Sequence, residues 1–273
     1  MMLKSNITAR DIRIRNPADD GHTERALSGR HNRTRIHRGP DRMGKALGTK
    51  SIVSIGRPMK LEYISELNYK KVVHSYNRRS EVSRRLIALL HANREREYVD
   101  LALGIDDDGY GNFSASDHAL GPRILSGRSY STIFALAKRI ANIDDKDELL
   151  KTIYAENIPY LKVSVGTEIA MLLRPETHWV ANARSIWSHL LVKHRSIRLA
   201  NEELSYYRAG AEDSKMAYRM WSAIHSEMAS NVLKLAGAGT DAATLQGIDA
   251  GQTGFLWADA IANQLYEKYV DGQ

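Results

Sequence analysis

The stretch that most constrains this chain runs from Pro159 to Arg195, PYLKVSVGTEIAMLLRPETHWVANARSIWSHLLVKHR. Its apolar residues change period along their length. Leu161, Val163 and Val165 alternate with Tyr160, Lys162 and Ser164, and a period of two predicts a short strand. Pro159 suits a strand's first position, where its missing N–H breaks no ladder. Gly166 permits a turn, and Thr167 is a good N-cap for a short helix over Glu168–Leu173 that Pro175 stops. Beyond it, Thr177 or Asn182 can cap a second helix carrying Ile186, Leu190, Leu191 and Ile197 inward. Strand, helix, break, helix is the expected order.

A lone strand cannot satisfy its own N–H and C=O groups. Its natural partner is the same strand of a second copy, which predicts a homodimer joined by a two-stranded antiparallel ribbon. Such a ribbon fits the major groove of B-DNA. On its outward face Lys162 would reach guanine, Ser164 either kind of base edge, and Tyr160 a thymine methyl or a phosphate. At the start of the second helix, Asn182, Arg184 and Ser185 would clamp phosphates together with the first-turn amides. The plainer reading of the same pattern is a strand in an ordinary mixed sheet. Ser51–Ile55 (SIVSI) also alternates and is a rival ribbon strand, without the capped helices behind it.

Charge points the same way. The net charge is +7; residues 1–50 hold 12 Lys+Arg against 5 Asp+Glu, while the remaining 27 basic and 27 acidic residues cancel. A basic segment on a neutral body suits a polyanion, most often nucleic acid. The alternative is a solubilising tail. Residues 1–50 lack sustained periodicity and are rich in Arg, Gly, Asn and Asp, which predicts a flexible arm. Residues 51–273 read as a helical body with the ribbon–helix–helix unit at about 159–200. The fold expected is mainly α.

Within that body, Leu61–Tyr98 carries a helical stripe with a break expected near Asn77–Ser80. The pairs Arg78/Arg79 and Arg84/Arg85 read as a solvated face, with phosphate contact as the alternative. Ser129 and Asp144 or Asp145 are expected caps for two helices over 129–157. A helix from Asn182 to Tyr207 and another over Asp213–Ala236 follow, then a Gly/Thr-rich loop over Gly237–Gly254 and a closing helix over Phe255–Val270.

Several chemistries lack their motifs. The chain has no cysteine, which excludes disulfides and thiolate metal sites. It has no apolar run near the ~20 residues that span a bilayer, so a cytoplasmic protein without membrane contact is expected. There is no HExxH, Walker loop or nucleophile elbow. Asp106, Asp108, Gly111, Asn112 and Asp117 keep part of a calcium-loop spacing, but Tyr110 and Asp117 occupy positions that favour Asp or Asn and a bidentate Glu; an acidic surface turn is the better reading. No cofactor, small-molecule ligand or enzymatic activity is expected.

Four segments, RPMKLEYISELNY (57–69), LKVSVGTEIAMLL (161–173), HWVANARSIWSHLLVKHRSI (178–197) and WADAIANQLYEKY (257–269), give the chain a resemblance to the AcaB family of transcriptional regulators of conjugative plasmids and integrating conjugative elements. The resemblance spans most of residues 51–273 and is weakest over 1–50. It implies a ribbon–helix–helix DNA-binding protein that activates transfer genes. The expected function is thus sequence-specific binding of promoter DNA by a homodimer. The alternatives are a structural DNA-binding accessory of the relaxosome or transfer machinery, and a metal-dependent nuclease.

Overall fold

Small polar residues set where the helices begin. The computed structural model describes residues 62–105, 111–208 and 214–272, all within one unit over Ser54–Gln273. A short helix α1 (Glu62–Ser65) leads into α2 (Tyr69–His91), capped by Asn68. Then come α3 (Glu95–Ala102), α4 (Phe113–Ser116) and α5 (Leu120–Gly127). The expected caps Ser129 and Asp145 start α6 (Tyr130–Ile140) and α7 (Lys146–Ala155), each accepting from first-turn amides. The chain continues through α8 (Val163–Leu173), α9 (Ala183–His194), α10 (Ile197–Arg208) and α11 (Lys215–Leu245). It ends in α12 (Gly254–Tyr266) and a π-helical turn, Glu267–Asp271. The mainly helical fold stands.

The expected ribbon at 159–165 does not. No strand occurs among the described residues. Tyr160 takes a left-handed φ of 64°, Lys162 is extended only as the N-cap of α8, and Val163 already begins the helix. Every residue from 165 to 173 is buried. A helix buried on all sides has no polar face, so three alternating apolar residues at its start mimic a strand. Helix α8 packs on α2, α4, α6, α7, α11 and α12, which leaves it no edge to offer a second copy. The ribbon–helix–helix unit at 159–200 is therefore corrected to a central helix, a loop and a second buried helix. The rival strand Ser51–Ile55 and the basic arm 1–50 lie outside the described residues.

Two residues read as turn signals in α8 have other work. Gly166 is where α7 comes closest: a Cβ there would stand 2.8 Å from the Ile153 side chain. Thr167 donates back to Val163 O at 2.6 Å and accepts from Ala181 N at 3.0 Å, tying α8 to the loop before α9.

Elsewhere the boundaries move for local reasons. Helix α2 runs unbroken through Asn77–Ser80. The single helix expected over 182–207 is split at Arg195, whose left-handed φ of 53° ends α9. Helix α11 passes straight through Gly237 and Gly239 instead of stopping at Ala236. Gly239 is in the helix because α12 crosses there: a Cβ would meet Ile261 Cδ1 at 2.2 Å. No helix of the described residues is long and apolar enough to cross a membrane.

Candidate functional site

Three ionisable side chains meet in the core. Arg79 and Glu168 are fully buried and Asp259 is 3 % exposed. Each is a lone charge in an apolar pattern: Arg79 sits on the inward stripe of α2 with Val72, Val82 and Leu86, Glu168 within VSVGTEIAMLL, and Asp259 within FLWADAIA. Arg79 donates to Glu168 Oε1 at 2.9 Å and to Gly111 O at 2.6 Å. Its Nε lies 2.9 Å from Asp259 Oδ2, and its guanidinium stacks 4.2 Å above the Phe113 ring. Burial and the neighbouring Glu168 push the Asp259 carboxyl up, against the pull of Arg79. Reading the sequence as a solvated Arg78/Arg79 pair missed this; the signal was a cation on the apolar stripe.

The cluster organises what lies around it. The Glu168 carboxylate accepts from Phe113 N at 2.8 Å, Ser114 N at 3.0 Å and Ser114 Oγ at 2.6 Å, so it holds the first turn of α4. Asn112 caps α4 and donates to Val165 O at 3.1 Å. Asn182 Nδ2 lies 3.4 Å from Ser114 Oγ. A continuous polar chain thus runs from Asp259 in α12 through Arg79, Glu168 and Ser114 to the start of α9.

The six predicted DNA contacts fall in two places: Asn182, Arg184 and Ser185 at the start of α9, and Tyr160, Lys162 and Ser164 at a separate cavity beside the start of α8. Asn182 does cap α9, but as part of a capping box. Its Oδ1 accepts from Arg184 N and Ser185 N at 3.1 and 3.0 Å, while Ser185 Oγ accepts from Asn182 N and donates to Val180 O. Both side chains are buried, so they hold the helix start and cannot also clamp phosphates. Arg184 is half-buried, paired with Asp117 at 2.7 Å and 5.4 Å from the Phe113 ring centre. Tyr160 lies beneath the Arg123 guanidinium at 4.0 Å. Tyr160, Lys162 and Ser164 share a small cavity of about 40 Å³ with Tyr154, Tyr218 and Trp221 rather than an outward-facing strand surface.

Ser164 and Trp221 also border a larger cleft of about 500 Å³, where Ser164, Asn182 and Arg184 come together. Its walls are the loop after α4 (Asp117, His118), the first turns of α8 and α9, the end of α10 (Tyr207, Arg208), Trp221 of α11, and Tyr266 with Asp271 at the C-terminus. Trp221 Nε1 donates to Tyr207 O at 3.3 Å, and Arg208 hydrogen-bonds the Tyr266 hydroxyl. A neighbouring groove of about 610 Å³ shares Arg184 and Asp271 and carries Lys70, Lys71 and His74 of α2.

Beyond that groove, α2 presents a basic outer face. Lys70, Lys71, Arg84 and Arg85 are exposed, and Glu81, 3.3 Å from Arg78, is the acid among them. From residue 70 to residue 85, fifteen rises of about 1.5 Å cover about 22 Å of helix.

Of the partial calcium loop, Asp106, Asp108 and Tyr110 lie outside the described residues. The rest is committed elsewhere: Gly111 O to Arg79, Asn112 to its cap, Asp117 to Arg184. No cluster of three metal-ligating side chains occurs among the described residues. Comparisons with protein-family models, curated proteins and solved structures found no match to this chain.

Proposed function

We propose that the chain is a sequence-specific, double-stranded-DNA-binding regulator of transcription, with the promoters of conjugative transfer genes as its targets and activation as its effect. The observation that carries the reading is the exposed cationic row Lys70, Lys71, Arg84 and Arg85 along α2, in a chain whose residues 1–50 account for the whole net charge of +7. B-DNA presents about one phosphate charge per 1.7 Å of axis, so a ~22 Å basic face spans several phosphates. The sequence resemblance supplies the promoter and the transfer genes. In this reading the homodimer rests on the sequence resemblance, because Val163–Val165 lies in α8 and Lys162 is its N-cap. Phosphate contacts come from α2 and residues 1–50, not from Asn182 or Ser185.

Fluorescence anisotropy on labelled promoter DNA at rising salt tests this. The full chain should prefer promoter over random DNA at about 150 mM salt. Replacing Arg84 and Arg85 together by Gln should weaken binding to both DNAs alike and lower the slope of log K against log salt by about 2. Deleting residues 1–50 should lower it further. Equal affinity for promoter and random DNA would turn the reading toward a structural accessory of the transfer machinery. An unchanged slope in both variants would remove α2 and the arm from the interface.

A further inference from the structure

We propose that the cleft between the ends of α9, α10 and α12 binds a small zwitterion with a flat side chain, of the aromatic α-amino acid class. Three observations carry this. Its volume, about 500 Å³, lies within the usual 300–1,000 Å³ of small-ligand sites. Its charged side chains come in both signs: Arg184 and Asp117, which pair with each other at 2.7 Å, and Arg208 and Asp271 from two further elements. Its flat surfaces are Tyr207, Trp221 and Tyr266, with Trp221 held by its bond to the Tyr207 carbonyl.

The charge pattern selects the ligand class. A purely apolar molecule would strip water from Arg208 and Asp271, beside the Arg184–Asp117 ion pair, without replacing it. A dianion would confront both aspartates, and a dication both arginines. A carboxylate and an ammonium on one carbon meet Arg208 and Asp271 and leave the Arg184–Asp117 pair in place. The carboxylate is favoured near Arg184 and Arg208, where the positive end of α9 adds to the attraction. The ammonium then faces Asp271, and the side-chain ring lies on the aromatic wall. Asn182 and Ser185 stay in their cap throughout. Through Ser114 and Asn182 the cleft adjoins the polar chain that reaches Arg79, so an occupant would rest on the same network that anchors α2.

The test uses the full chain and L-phenylalanine, whose ring does not absorb at the red edge of indole excitation. Of the four tryptophans, Trp179, Trp187 and Trp257 are buried and Trp221 borders the cleft, so it reports occupancy. L-Phenylalanine should shift the emission saturably, and calorimetry should give the same Kd. L-Alanine, 3-phenylpropionate and phenethylamine, lacking the ring, the ammonium and the carboxylate in turn, should each bind at least about tenfold more weakly, the equivalent of one lost interaction of ~1.4 kcal/mol. Arg208→Gln and Asp271→Asn, both at exposed positions, should each weaken L-phenylalanine by a similar factor with helical circular dichroism unchanged. No saturation, or equal binding of all four compounds, overturns the proposal. So does wild-type affinity in both variants. None of these readouts requires DNA, so the result is independent of the regulator reading.

Discussion

Arg79 serves four partners at once: the carboxylates of Glu168 and Asp259, the Gly111 carbonyl and the Phe113 ring. A planar guanidinium with five donors can do this and an ammonium cannot. Removing it leaves two carboxylates in the core without their cation. Arg79→Met should therefore cost about 3–5 kcal/mol in urea unfolding, the usual loss when one member of a buried pair is deleted. Arg79→Lys should recover only part of it. A cost below about 1 kcal/mol for Arg79→Met would mean the cluster contributes nothing net. Individual residues were legible where their role is local. Asn182, Ser129 and Asp145 each declared a helix start by type and position. Arg79, Glu168 and Asp259 find one another across long stretches of chain, and nothing local marks such a pairing.

At the scale of elements, α8 shows why periodicity is legible in half-buried segments and fails in buried ones. Helices α6 and α7 keep one wet face, and their stripes and caps predicted them. Helix α8 has none, so Leu161–Val165 carried a strand's pattern and Gly166 a turn's. The two glycine environments give a direct comparison. Gly166→Ala would press a methyl against Ile153 at 2.8 Å and should destabilise by about 1–3 kcal/mol. Gly237, in α11, has nothing within 4 Å of its would-be Cβ, so Gly237→Ala should stabilise by up to about 1 kcal/mol through helix propensity. Thermal or urea unfolding of the two variants checks both signs. If both changes destabilise equally, packing at Gly166 is not what sets its identity.

For the whole molecule, acid stability is set by buried imidazoles. Burial pushes His225 and His189 down to about 4 and lowers His178 as well. Unfolded, these rings take protons near pH ~6.5. As pH falls below ~6.5 the unfolded chain binds protons that the folded one refuses, so stability drops until about pH 4. Asp259 works in the opposite sense. Its raised folded pKa makes the native state take the proton first, adding stability as pH falls through that value. Asp117, also raised by burial, acts with it, and three histidines against two carboxyls leave a net loss. The urea midpoint should fall from about pH 7 to about pH 5, and His225→Gln should flatten the decline. A midpoint that rises on acidification would place the proton balance with Asp259. The mainly helical class was legible at this scale from stripes and caps. The cleft was not, because Asp117, Arg184, Arg208 and Asp271 converge only through tertiary packing.

The placement of the core charges also sets a timetable for synthesis. Arg79 leaves the ribosome 89 residues before Glu168, and from residue 79 to residue 259 a further wait brings the total to 180 residues before Asp259. At ~5–20 residues per second, that is on the order of 10–40 s. Throughout it the apolar side of α2 lacks α12, which follows α9 and α11 in the chain and packs on all three. The core around α2 therefore waits on α12, and a nascent copy halted short of residue 259 keeps a wet inner face and a cation awaiting its second anion.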